Sequence, residues 1–210
     1  MAKLKGPLFS LGASGAIGKV AVYFGWKGLN CVREYVVPAN PKTPKQITQR
    51  SYVTDAVAKI HAAEIAVAIK LKTEDKAAYA LKGSTHPTPR TWFNEIVKNW
   101  IDCKIKVKLA CIFCSGEMDN TSKNDFRPHI YFAEEGPGNI AAGAFFLGTS
   151  KTAIIATKAG NITAGEGANL LPAGGFSGLT AGRKYYWWFK PDVGDAYEWA
   201  ASGIYYATTT

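Results

Sequence analysis

Hydrophobic positions change their period twice along this chain. From Ile17 to Phe24, and again from Leu29 to Val37, they are dense in Val, Ile, Tyr and Phe, the composition of strands. Gly25-Trp26-Lys27-Gly28 separates the runs and supplies the positive-φ positions that a tight reversal needs, so a β-hairpin is predicted. Pro38, Pro41 and Pro44 hold the next segment extended, because each ring fixes its own φ and keeps the preceding residue out of the α region. Thr43 is the predicted N-cap of a helix, with Pro44 at the first helical position and Gln46 placed to close a capping box. Gly15 to Arg50 thus reads as one folding unit of hairpin, strap and helix start.

From Pro44 the period is helical. Ile47, Val53, Val57, Ile60, Val67 and Leu71 recur at spacings near three or four, predicting a long amphipathic helix that ends near Leu71. Thr73 starts a second helix with Glu74 and Asp75 in its first turn, where the macrodipole favours them, and Gly83 is its expected C-cap. Thr88 with Pro89 predicts a third helix, carrying Trp92, Phe93, Ile96, Val97 and Trp100 on one aromatic face. An aromatic stripe at this spacing belongs to a core.

After Trp100 the period becomes two. Lys104 to Leu109 alternates strictly and puts Ile105, Val107, Leu109 and Cys111 on one side of an expected half-buried strand. Further strands are predicted at His129 to Ala133, Ala144 to Leu147, Thr152 to Thr157, Tyr185 to Phe189 and Gly203 to Thr208. Leu179 stands six residues before Tyr185, the arrangement of a tyrosine corner, in which the phenol bonds back to the preceding backbone. The fold class expected is α+β. Residues 1–101 would form a hairpin-plus-helices docking domain with an extended N-terminal arm, and residues 102–210 an immunoglobulin-like or fibronectin-like β-sandwich.

The 210 residues carry a net charge of +9, and all of the excess lies in the first half. Residues 1–100 hold 15 Lys or Arg against 6 Asp or Glu, while residues 101–210 hold 10 of each. A basic half could face nucleic acid or an acidic partner, although scattered lysines on helix faces more often form a solvated surface. Cys31, Cys103, Cys111 and Cys114 form neither a disulfide framework nor a zinc pattern, so buried free thiols are expected. No apolar run has the length to span a bilayer and no secretory signal is evident, so a protein made in the cytoplasm without a membrane partner is expected.

Motifs for catalysis are sparse. Gly12 to Lys19 looks like a phosphate loop, but Ala13 and Val20 replace the required glycine and hydroxyl, and a strand follows in place of a helix. His61, His86 and His129 stand apart from any nucleophile or second histidine. Asp192 and Asp195 fit a hairpin turn as well as a calcium loop. No enzyme activity, cofactor or metal is therefore expected. Arg33, Lys42, Lys45 and Arg50, with Trp26 and Tyr35 near them, would suit a surface that tracks phosphates. A salt titration of DNA binding separates that alternative from a structural role. Trp187, Trp188 and Trp199 raise a third reading, a carbohydrate-binding appendage.

One string of residues is more specific than these patterns. Gly15-x-Ile17-Gly18, Val22-Tyr23, Gly28, Val32-Arg33, Pro38-x-Asn40-Pro41-x-Thr43-Pro44-x-Gln46 and Arg50 together resemble the N-terminal signature of small proteins from tailed-phage and prophage structural gene clusters. Leu71-Lys72-Thr73 and Trp92-Phe93-Asn94 resemble later parts of the same proteins, although Tyr79 stands where Trp is commoner, and the Tyr185 to Phe189 run with Ser202 and Tyr205 resembles the ends of related Bacteroidetes proteins. The resemblance implies a virion component, in the capsid decoration or in the tail or neck, with other virion proteins and copies of itself as partners. It carries over no catalytic residue. The interface expected on this reading comprises Leu8, Phe9, Tyr23, Trp26, Arg33, Tyr35, Lys42, Lys45 and Arg50.

Overall fold

The computed structural model describes residues 3–4, 13–27, 29–37, 42–67, 69–134, 140, 142–161, 170–172 and 175–210, and the chain is α+β. Its contacts divide it into two units, Met1–Thr43 and Pro44–Thr210. The expected continuity of hairpin, strap and helix is therefore divided at Thr43, and the expected boundary between residues 101 and 102 falls inside the second unit.

The first unit is a four-stranded antiparallel meander, β1 (Lys3–Leu4), β2 (Ala13–Ile17), β3 (Ala21–Trp26) and β4 (Leu29–Glu34), in that order. The single apolar run expected from Ile17 to Phe24 is broken by a turn. Gly18 takes φ +56°, a conformation free of penalty only for glycine, and Val20 N–H returns to Ile17 O at 3.2 Å. The phosphate-loop look-alike is thus a strand and its turn. The β3–β4 reversal is tighter than predicted, since Trp26 pairs with Leu29 and Lys27 takes φ +49°. Leu8, Phe9, Pro38, Asn40 and Pro41 lie outside the described residues.

The second unit begins with α1 (Pro44–Ile65), α2 (Thr73–Gly83) and α3 (Trp92–Ile105). Helix α1 opens at Pro44 as predicted but ends six residues before Leu71. It buries Ala56, Ile60 and Ala63, a narrower stripe than the expected one, and leaves Ile47 and Val53 exposed. Gly83 is the last residue of α2 and owes its place to close packing: a Cβ there would stand 2.5 Å from Arg90 O. Arg90 N–H bonds back to Gly83 O at 3.2 Å. That contact keeps Arg90 out of a helix, so α3 starts later than Thr88 predicts, capped by Thr91 Oγ1 accepting from Asn94 N–H at 3.3 Å.

The strand expected from Lys104 is the end of α3. Trp100 and Cys103 are buried one helical turn apart, Val107 takes φ +57°, and Ile105 and Val107 are exposed. Burial of the helix face overrides the local alternation. The strands that follow are β5 (Cys111–Ser122), β6 (Asp125–Glu134), β7 (Ala142–Gly148), β8 (Ala156–Asn161), β9 (Leu170–Pro172), β10 (Lys184–Pro191) and β11 (Tyr205–Thr208). They form two antiparallel sheets, β5-β6-β9 and β11-β10-β7-β8. Rings from the two sheets meet, Phe113 with Phe189 at 5.5 Å and Phe126 with Tyr185 at 6.2 Å.

The tyrosine-corner bond is present: Tyr185 OH accepts from Thr180 N–H at 3.1 Å, with the Tyr185 side chain buried. Tyr185→Phe leaves that N–H without its partner and is expected to cost about 1 kcal/mol, read as a fall of roughly 2–4 °C in thermal unfolding. An unchanged transition would show that the bond contributes nothing.

Candidate functional site

In the second unit one group of polar side chains is turned inward. A bulge in β5 between Cys114 and Glu117 places Ser115 at φ +49°, which turns two successive backbone N–H groups toward α2. Asp75, fully buried in the first turn of α2, receives them: Oδ2 accepts from Ser115 N–H at 2.9 Å and Oδ1 from Gly116 N–H at 3.1 Å. Oδ2 also accepts from Lys72 N–H at 2.8 Å, and Oδ1 from Tyr205 OH at 2.8 Å. Gly116 is required here because a Cβ would stand 2.5 Å from the Tyr205 ring. Next to this carboxylate, Tyr79 OH accepts from Phe113 N–H at 3.0 Å and donates to Phe113 O. Burial raises the Tyr79 and Tyr205 hydroxyls well above the ordinary phenol range, and the Asp75 charge adds to it. These groups join α2 to β5 and β11.

Other buried groups are committed in the same way. Cys103, Cys111 and Cys114 are buried thiols outside any disulfide, and burial pushes the Cys114 thiol far above the usual range, which makes it inert. Buried Glu95 takes His86 and Arg90 at 3.1 and 3.2 Å. No group of three or more His, Cys, Asp or Glu among the described residues is placed to hold a metal ion. A cavity of about 450 Å³ between α2, β5 and β11 is lined mainly by apolar residues, among them Leu81, Met118 and Ile204, with Glu74 and Glu117 the charged ones among its described lining residues. Glu117 is already paired with Lys72.

Lys82 has a measurable consequence. Its Nζ donates to Ser202 O at 3.1 Å, and desolvation pushes the ammonium down to about 8, against partial relief from Glu95. Below pH 8 both the folded and the unfolded chain carry the proton and the burial cost is fully present. Between pH 8 and the ordinary lysine range only the unfolded chain carries it, so stability rises with pH. The expected gain from pH 7.5 to 9.5 is about 1–2 kcal/mol. Above pH 10 the trend reverses, because the unfolded chain ionises its tyrosines before Tyr79 and Tyr205 follow. Urea titrations should show this rise in the parent protein and none in Lys82→Met; an equal rise in both would assign it elsewhere.

In the first unit the situation is the opposite, since its described side chains include none that is buried. Strand register puts Ala16, Val22, Phe24, Trp26, Leu29 and Cys31 on one face of the sheet. Arg33 shares that face, its guanidinium 5.7 Å from the Phe24 ring centre. Trp26 is 60% exposed and Leu29 68% exposed. β4 is an edge strand, with an open row of backbone donors and acceptors. The unit carries six Lys or Arg against Glu34 alone, a net charge of +5 in 43 residues.

The expected interface residues are distributed as follows. Trp26 and Arg33 lie together on the apolar face, whereas Tyr23 points to the other face beside Val32. Tyr35 follows β4 and bonds through its N–H to Val20 O at 3.0 Å. Lys42 is exposed at φ +47°. Lys45 and Arg50 are exposed on the first turns of α1, in the second unit. Val22, Phe24 and Leu29 were missing from the expected set. Alternation across β3 and β4 was the signal for them, once the turn at Gly18 is known to set the register. No family model, curated protein or solved structure matches the chain.

Proposed function

We propose that this protein is a structural component of a tailed-phage particle, in the capsid decoration or in the tail or neck, which docks on neighbouring subunits through its Met1–Thr43 unit. The observation that carries the reading is a four-stranded sheet without a buried side chain among its described residues, its apolar face and the β4 edge both open. A four-stranded sheet in a unit of 43 residues is too small to be stabilised by a core of its own, so covering that face with a partner supplies the missing burial. At about 25 cal/mol per Å² of apolar surface, Val22, Phe24, Trp26 and Leu29 together offer several kcal/mol. Lys19, Lys27, Arg33 and Lys42 favour an acidic surround on the partner, which sets orientation and encounter rate more than affinity. Strand addition at β4 would give the contact a defined register.

The second unit, on the same proposal, is an immunoglobulin/fibronectin-like sandwich displayed by the docked sheet. With β5 to β11 lettered A to G, the sheets are A-B-E and G-F-C-D, which is the immunoglobulin partition with its fourth strand transferred to the edge of C. The Tyr185 bond at the start of the sixth strand supports it further.

Mass spectrometry of particles purified from the phage or induced prophage that encodes this chain is expected to find it in stoichiometric amount, and the purified full-length chain is expected to bind particles that lack it. A full-length chain that stays monomeric and leaves such particles bare would sink the proposal.

A further inference from the structure

The outward face of the β11-β10-β7-β8 sheet belongs neither to the docking unit nor to the core. Along β10 burial alternates, so Tyr185, Trp187 and Phe189 point inward while Lys184, Tyr186, Trp188 and Lys190 point outward. Register continues this outward row across the neighbouring strands, pairing Tyr186 with Tyr206 on β11 and Trp188 with Phe146 on β7. Four aromatic rings therefore share one face. Trp188 and Phe146 are stacked, 5.7 Å apart with planes 16° from parallel, and Tyr186 and Tyr206 lie 6.2 Å apart. Tyr206 is 58% exposed. Lys184 Nζ sits 3.5 Å from the Tyr206 ring centre and 5.6 Å from that of Tyr186, so the rings and the cation present one continuous surface.

Charge selects the partner. The four strands of this sheet contain Lys158, Lys184 and Lys190 and no Asp or Glu. The acidic residues of the strands, Glu117, Asp119, Asp125 and Glu134, all belong to the other sheet. A face for neutral sugars combines rings with carboxylates or carboxamides that bind hydroxyl groups, and apart from Asn161 at the end of β8 these strands have none. Flat rings interleaved with ammonium groups, and free of carboxylates, match a polymer that is flat where it stacks and anionic along its backbone.

We propose that this face binds single-stranded nucleic acid, with bases stacking on Trp188, Phe146, Tyr186 and Tyr206 and phosphates held by Lys184 and Lys190. This places nucleic-acid contact on a different surface from Arg33 and Lys42, and it is independent of the docking role of the first unit.

The test uses the full-length chain and a fluorescently labelled oligothymidylate of about 20 nucleotides, longer than the roughly 4–16 that one such module covers, with a duplex of equal length as comparison. The single strand is expected to bind better than the duplex. Tyr206→Ala, at an exposed ring, and Trp188→Ala should each weaken binding by roughly 5- to 100-fold. The pair Lys184→Gln and Lys190→Gln should flatten the log–log salt dependence by about 1.4, while the ring variants leave that slope unchanged. The proposal is overturned if the oligonucleotide does not bind at low salt, if the duplex binds as well as the single strand, or if Tyr206→Ala and the lysine pair both leave binding intact. It is equally overturned if an acidic polysaccharide binds this face and the oligonucleotide does not.

Discussion

Asp75→Ala is expected to remove about 3–5 kcal/mol from the stability of the Pro44–Thr210 unit, a large part of the 5–15 kcal/mol typical of a whole protein. The size follows from what is left behind. Three backbone N–H groups, of Lys72, Ser115 and Gly116, and the hydroxyl of Tyr205 all point at this one carboxylate. Without it, buried donors lose both water and partner, at roughly 1–3 kcal/mol for each that cannot relax. Ser115 would also keep its left-handed backbone with nothing to hold it there. Tyr205→Phe removes one of the four bonds and should cost only about 1 kcal/mol. Urea unfolding of the three proteins, followed by tryptophan fluorescence, measures the difference. If Asp75→Ala proves no worse than Tyr205→Phe, the carboxylate is not the junction described above.

Trp26→Glu combined with Leu29→Glu is expected to weaken docking about a hundredfold or more, because buried aromatic and aliphatic anchors carry most of the energy of such contacts. These two residues pair across the β3–β4 reversal, and both are largely exposed in the free chain. The substitutions therefore remove no core contact, and thermal unfolding of the second unit should be unchanged. Two added carboxylates would also lower the net charge of the unit from +5 to +3 and leave charges unpaired under a partner. Binding of the labelled full-length variant to particles, measured by co-sedimentation, gives the affinity. Retained affinity would move the docking surface away from this face.

Much of the second unit was legible in the sequence. Helix α2 is where the acidic first turn put it, and Pro44 opens α1. The spacing of Leu179 and Tyr185 foretold a hydrogen bond that the fold makes. The errors share a cause. Lys104 to Leu109 alternates like a strand, but Trp100 and Cys103 gain more from core contact than the alternation gains from a sheet edge. Val53 and Ile47 fit a helical stripe, yet the α1 stripe that is covered consists of Ala56, Ile60 and Ala63, where small side chains let the helix pack closely. Asp75 drew attention only as a helix-capping acid. Its three distant partners, Ser115, Gly116 and Tyr205, lie 40 to 130 positions away, and no local pattern announces them.

By itself, then, the sequence determined the type of most elements, though not that of Lys104 to Leu109, together with the basic bias of the N-terminal part and the residues able to line a sheet or cap a helix, because these depend on dihedral preference, side-chain period and formal charge. Tertiary structure alone decided which apolar stripe is covered, where the chain divides, that a bulge aims two N–H groups at Asp75, and that the aromatic rings of β7, β10 and β11 share an outward face with two lysines. Each of these depends on pairings between residues far apart in the chain, and the free energy of burial and of buried hydrogen bonds exists only once those pairs have met.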